Sequence, residues 1–173
     1  MFILFGSFGC SVMSPERYSI SPEISDILRD SEAKEGIVLS KLVMGTSFSR
    51  SCRLFTLIHA APGREFNDYI KDAFNDEFRS AGIYNRKGVV LVGSIDKMDF
   101  SSTSFLTKGF WHITLTLKSE NNHRLTTQIT YYYNSGWNGI SACDQATKAF
   151  RETVQDLIKQ TVSHQNFDQL LNK

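Results

Sequence analysis

Apolar side chains recur along the first half of the chain at the spacings of strands and then of a helix. GIVLSKLVMG and CRLFTLIHA are apolar runs of strand length, rich in β-branched and aromatic residues, and the polar TSFSRS joins them. We interpret these runs as two strands. The apolar residues of the next stretch lie three and four positions apart, which predicts a helix. They are Phe66, Tyr69, Ile70, Ala73, Phe74 and Phe78. Gly82 is well placed to end this helix in a left-handed conformation.

The second half of the chain predicts three strands and a long helix. GVVLVGSIDKMDF is an apolar run, and FWHITLTLK and RLTTQITYYY alternate between apolar and polar residues around the turn SENNH. The last two therefore predict a hairpin. From about Ala142 to His164 the apolar residues return to helical spacing, at Ala146, Phe150, Val154, Leu157, Ile158 and Val162.

The predicted order is β-β-α-β-β-β-α, which favours an α+β fold. We expect a largely antiparallel sheet with two helices on one face, formed by a single domain over residues 36–173. Residues 11–35 are rich in serine, proline and charge without a sustained period, so they predict a tether in which ISDILRD forms one short helical turn. Residues 1–10 form an apolar run that ends in Gly-Cys, as the remnant of a signal peptide does.

Composition and charge exclude several classes of partner. The 173 residues are 41% hydrophobic and 21% charged, and 19 Lys and Arg against 18 Asp and Glu leave a net charge of +1. Because no strong positive field is present, nucleic acid is not expected as a partner. No apolar stretch approaches the roughly 20 residues of a membrane-spanning helix. Attachment to a membrane would therefore need a lipid or a partner protein.

The sequence contains no motif that predicts a metal site, a cofactor or a catalytic residue. The histidines stand at 59, 112, 123 and 164, without the spacing of a helical zinc pair, and no C-x-x-C is present. The glycine-rich motifs for phosphates and dinucleotides and the nucleophile elbow are also absent. Cys143 lies at the start of the last predicted helix, where a thiol can be reactive, but no neighbouring base supports that role.

Three cysteines leave two open interpretations. If Cys10 accepts a lipid and the chain is exported, then Cys52 and Cys143 are left to form a disulfide in an oxidising compartment. The alternative is three reduced thiols in a cytosolic protein.

Aromatic residues are concentrated in two neighbouring strands and their loops, in YYYNSGW and MDFSSTSFLTKGFWH. One sheet face cannot easily bury them all, and exposed aromatic side chains favour partner contacts. The alternative is a core with ordinary amphipathic tyrosines. The partner-binding candidates are Tyr131, Tyr132, Tyr133, Trp137, Phe100 and Phe105.

These features resemble those of small bacterial envelope lipoproteins, of the YajG type and of the auxiliary lipoproteins of ABC transport systems. The resemblance rests on Gly-Cys after an apolar run, RYSI, a helix ending FRSAGI, the strand VVLVGSIDKM, a long hairpin and a closing helix. It implies a non-enzymatic periplasmic domain, held by lipid at a membrane, most naturally the outer one. Cys10 would be the lipid attachment site, and no cofactor or catalytic residue is implied.

Two classes of function follow as expectations. The first is a lipid-anchored adaptor or assembly factor that binds an envelope protein or a lipid-like ligand. The second is a small soluble enzyme, for which a pocket lined by His59, Cys143 and an acid would be expected.

Overall fold

The computed structural model describes residues 16–53, 56–60, 64–103 and 107–171, which form ten helices and strands. In chain order these elements are α1 (Pro22–Arg29), β1 (Ile37–Met44), β2 (Ser51–Cys52), β3 (Thr56–Leu57), α2 (Phe66–Ser80), β4 (Val89–Ser101), β5 (Lys108–Ser119), β6 (Arg124–Asn134), α3 (Gly139–Val162) and α4 (Phe167–Leu171).

The main sheet has four strands in the order β1-β4-β5-β6. Strand β1 pairs with β4 in parallel, with α2 as the connection between them, whereas β4, β5 and β6 form an antiparallel meander. The expected α+β fold with a largely antiparallel sheet is therefore confirmed.

The helices pack on one face of this sheet. Along β5, Trp111, Ile113, Leu115 and Leu117 are buried and alternate with partly exposed residues. Trp111 lies at the centre of the core, where its ring contacts Phe66 and Phe150 and its Nε1 donates a hydrogen bond to the carbonyl of Ala146 at 2.8 Å. The opposite face has no helix on it within the described chain and carries mainly threonine and charged side chains.

The predicted second strand is replaced by a short turn-like unit. The two-residue strands β2 and β3, at Ser51–Cys52 and Thr56–Leu57, pair with each other and not with the main sheet. The physical reason lies at Arg53, whose φ of 49° turns the chain directly after Cys52. Regular extension beyond Cys52 is therefore interrupted.

The described part of the predicted tether is also different, because it packs on the domain. Helix α1 begins with Pro22 after Ser21, whose side chain caps the helix, and buries Ile24 and Leu28. The buried carboxylate of Glu77 in α2 accepts hydrogen bonds from the hydroxyl of Tyr18 and the backbone N–H of Ser21. Ile24 and Leu28 are one helical turn apart, and they form this contact together with the hydrogen bonds of Glu77. Residues 1–15, including Cys10, lie outside the described residues.

Candidate functional site

Four of the six aromatic residues proposed to bind a partner lie at the end of β6 and in the loop beyond it, namely Tyr131, Tyr132, Tyr133 and Trp137, and Phe100 lies in β4. Tyr132 and Trp137 are exposed, with 63% and 82% of their surface accessible. Tyr132 lies on the uncovered face of the sheet and contacts Phe110 edge to face. Phe105 lies outside the described residues. Tyr132 and Trp137 are thus the candidates whose surface is available to a partner.

The other three aromatic candidates make internal contacts. The hydroxyl of Tyr131 donates a hydrogen bond to Oε2 of Glu152 at 2.6 Å, and this bond, together with burial, raises the pKa of Tyr131 to about 12. Tyr133 donates to the carbonyl of Ser101 at 3.0 Å, and burial raises its pKa. The ring of Phe100 stacks on Trp111. These three side chains therefore contribute first to the domain's own packing.

A groove runs between β6 and α3, and we call it the β6 groove. Its first part, of about 470 Å³, is lined by residues 131–134 of β6, by Lys148, Ala149 and Glu152 of α3, and by Glu16. Its second part, of about 490 Å³, is lined by residues 128–131 of β6 and by Asp156, Lys159 and Gln160 of α3. Consecutive β6 residues point to opposite faces, so the outer backbone edge of the strand must form the floor of this groove.

The charges along the β6 groove are mostly paired with each other. Arg151 forms ion pairs with Glu16 and Glu152, and Lys159 forms one with Glu23 at 2.7 Å. Lys148 likewise pairs with Asp144, at 2.8 Å. Within the described chain, two charged groups that line the groove lack an ion pair, namely Lys108 and Asp156.

A disulfide joins Cys52 to Cys143 at one end of the domain. Their Cα atoms are 5.9 Å apart, and both residues are fully buried. Ser102 lies beside the bridge, and its carbonyl accepts hydrogen bonds from Arg53 and Ser135. The bridge therefore attaches the β2–β3 unit to the first turns of α3. Because Cys143 is a disulfide sulfur here, it does not provide the free thiol that an enzymatic interpretation would use.

Two further features bear on the expected classes. The described residues include no group of three or more His, Cys, Asp and Glu side chains that could hold a metal ion. Across the same residues, no helix combines the length and the hydropathy needed to cross a membrane.

Sequence alone did not reveal the β6 groove, because it does not show which strand lies at the edge of the sheet. Lys108, Gln128, Glu152 and Asp156 were consequently not recognised as residues of one surface. Residues 125–134 contain no charge and no proline, a composition that is unusual for an exposed edge strand, so the sequence offered no signal for this edge position.

Comparison with known proteins identifies a similar fold. No protein-family model matches the chain, and no curated protein sequence matches it. Among solved structures, the chain is similar to protein XCC0632 from Xanthomonas campestris, described as belonging to the family DUF330. The TM-score is 0.55 at 11% identity, over 88% of this chain and 95% of that one. At this identity the likeness shows a fold shared with a bacterial protein, and it does not extend to the YajG type.

Proposed function

We propose that this protein is a lipid-anchored component of a bacterial cell envelope that binds another envelope component and catalyses no reaction. The binding surface is the β6 groove together with the exposed side chains of Tyr132 and Trp137, which lie at its end and beyond it. Exposed aromatic side chains supply a large contact area at a low cost in conformational entropy.

The disulfide is the observation that carries the proposal. Protein disulfides persist in oxidising compartments such as the periplasm, whereas cytosolic thiols are kept reduced. This bridge joins residues 91 positions apart, and both cysteines are buried, so the bridge is part of the hydrophobic core of the folded domain. The chain-entropy argument assigns such a loop a contribution of about 4–5 kcal/mol to folding, as an upper value.

The position of Glu16 links the anchor to the binding surface. Cys10 lies six residues before Glu16, and Glu16 lines the β6 groove. Six residues span at most about 22 Å, even when fully extended. Acyl chains on Cys10 would therefore keep the groove near the membrane surface, and two or more chains are needed for stable anchoring.

Two measurements on the protein expressed with its complete native signal test this function. We expect the wild type to fractionate with membranes and Cys10→Ser to be released, with Ser7→Ala as the matched control that stays with membranes. Mass spectrometry after alkylation without reduction should find residues 52 and 143 unmodified. Equal solubility of wild type and Cys10→Ser, or alkylation of both core cysteines, would contradict the proposal.

A further inference from the structure

The two edge strands of the sheet differ in what their outward backbone groups contact. At β1 these groups are occupied at Ile37 and Leu39 and, for the carbonyl, at Leu42. Both backbone groups of Ile37 bond to the loop after α2, and the side-chain amide of Asn75 bonds to both the N–H and the C=O of Leu39 at 3.0 Å. Asn67 donates to the carbonyl of Leu42 at 2.9 Å. No further strand can therefore pair with this edge along residues 37–42 without breaking existing bonds.

The outward groups of β6 can be identified from the register. β5 and β6 pair without a bulge from Lys108 to Lys118. Just beyond the two ends of this ladder, Ser119 donates to the carbonyl of His123, and Ser135 donates to that of Thr107. Since bonded pairs alternate along an antiparallel ladder, the odd-numbered residues of β6 bond to β5 and the even-numbered ones point outward. The outward residues are Thr126, Gln128, Thr130, Tyr132 and Asn134.

Nothing in the described chain bonds to the N–H or C=O groups of these five residues. The strand is also without the features that usually block an exposed edge, because residues 125–134 contain no charge, no proline and no bulge. The groove beside α3 leaves room for the side chains of an added strand. An edge with these properties is suited to backbone pairing with an extended peptide.

We propose that β6 binds an extended segment of a partner protein, which pairs with residues 126–134 as a fifth strand of the sheet. This inference rests on the proposed function and specifies the kind of partner. The two groups without an ion pair specify two of its side chains. Lys108 lies opposite Asn134 in the register, and Asp156 lines the groove beside residues 128–131. A matching segment carries an acidic residue near Asn134 and a basic residue about 10–20 Å further along, near residues 128–131.

The same charges argue against a second copy of this chain as the occupant. In a symmetric pair, β6 of one copy would lie beside β6 of the other. Residues 125–134 are uncharged and Arg124 is basic, so the pairing strand of a second copy would bring no acid to Lys108. A heterologous segment with one acid and one base satisfies both groups.

Selection from a phage-displayed library of random twelve-residue peptides tests the proposal on the purified, oxidised full-length chain. Amide hydrogen exchange then locates the bound peptide. We expect exchange at the five outward residues to slow by about tenfold or more on binding, whereas the odd-numbered amides, already bonded to β5, change little. Enriched peptides should carry an acid and a base about three to six residues apart.

A pair of substitutions at Gln128 separates backbone pairing from side-chain contacts. Gln128→Pro removes an outward N–H and should weaken binding about tenfold or more, whereas Gln128→Val keeps that N–H and should bind like wild type. If Gln128→Pro does not fold, N-methylation of successive peptide residues replaces it, with wild-type protein. Loss of binding at alternate peptide positions is then expected.

Three results would overturn the proposal. They are failure to enrich any peptide, protection outside β6, and a dimer that protects the outward amides without peptide, which would assign the edge to a second copy. The selection needs neither membrane nor lipid. It can therefore fail while membrane fractionation succeeds, or succeed while fractionation fails, so the two proposals are tested separately.

Discussion

At one edge of the sheet, α2 lies over the backbone of β1, whereas at the other edge α3 lies beside β6 and leaves a groove. Asn75 of α2 is buried, so the backbone of Leu39 has no access to water and must be bonded internally. The outward groups of β6 face the groove and can exchange water for a peptide at little cost. Helix position, and not strand composition, therefore determines which edge is available for binding.

Proline at neighbouring positions of β6 tests whether its inward and outward residues are assigned correctly. Thr127 pairs with Leu115 and is an inward residue by its register, whereas Gln128 is an outward one. Thr127→Pro should cost on the order of 3 kcal/mol of unfolding free energy, because it removes a ladder hydrogen bond and places a ring against β5. Gln128→Pro should cost about 1 kcal/mol, as expected for an outward edge position.

Urea denaturation measures both values, and Thr127→Ala and Gln128→Ala control for loss of the side chains. Equal costs for the two prolines would show that the assignment of inward and outward residues is wrong, and the strand-addition proposal would then lose its basis.

A second test removes the side chain of Asn75, which occupies the backbone groups of the β1 edge. Asn75→Ala leaves the buried N–H and C=O of Leu39 without partners, and should lower the unfolding free energy by about 2–4 kcal/mol. Gln128→Ala, at the β6 edge, should change it by less than about 0.5 kcal/mol. Faster amide exchange at Leu39 in the Asn75 variant would locate the effect. A loss below about 1 kcal/mol would mean that water or a backbone shift satisfies the β1 edge.

The asymmetry between the edges also marks the limit of what the sequence predicts. The β5–β6 hairpin, α2 and α3 follow from local spacing, because each presents one continuous apolar face, as at Ile113, Leu115 and Leu117. Strand order depends on contacts between distant segments, such as β1 with β4. Periodicity carries no information on those, so neither edge could be assigned from it.

The sequence analysis predicted the short elements only in part, for a related reason. Helix α1 depends on Ile24 and Leu28 and on the hydrogen bonds of Glu77, which is more than 50 residues away. The unit of β2 and β3 depends on the turn at Arg53 and on the bridge from Cys52 to Cys143. The cysteine count suggested the bridge, but tertiary contacts decide the local conformation around it.

A third experiment stabilises the inner side of β6 without changing its outer edge. The side chain of Thr127 is buried, and within the described chain its hydroxyl has no hydrogen-bond partner. Thr127→Val removes that hydroxyl at nearly constant shape, so the unfolding free energy should rise by about 1 kcal/mol. Thr153→Val is the matched control, because its buried hydroxyl donates to Ala149 at 2.7 Å, and this change should destabilise.

Thermal and urea denaturation measure this difference. If Thr127→Val destabilises as much as Thr153→Val does, the hydroxyl of Thr127 has a partner in solution. Peptide binding by Thr127→Val should equal that of wild type, since the outward groups of β6 are unchanged.

The smallest effect concerns pH, and it should affect only the β6 side. The amides that occupy the β1 edge do not titrate, whereas the hydrogen bond from Tyr131 to Glu152 spans the β6 groove and requires the neutral phenol. The pKa of Tyr131 is raised to about 12, first by this bond and then by burial. A raised pKa means that the bond's contribution to stability is complete below pH 10 and is lost as the pH rises from 10 towards 12. Tyr131→Phe should therefore be less stable than wild type by about 0.5–1 kcal/mol at pH 8 and nearly equal to it above pH 12.

Carbon-13 NMR of labelled tyrosine, assigned with Tyr131→Phe, follows the ionisation directly. In Glu152→Gln the pKa of Tyr131 should fall towards 10, because the neutral amide loses both the charge and the strong acceptor that favour the protonated phenol. Asp144→Asn is the matched control, since it removes a carboxylate from the same helix without touching this bond. An unchanged pKa in Glu152→Gln would mean that burial, and not the hydrogen bond to Glu152, raises the pKa of Tyr131.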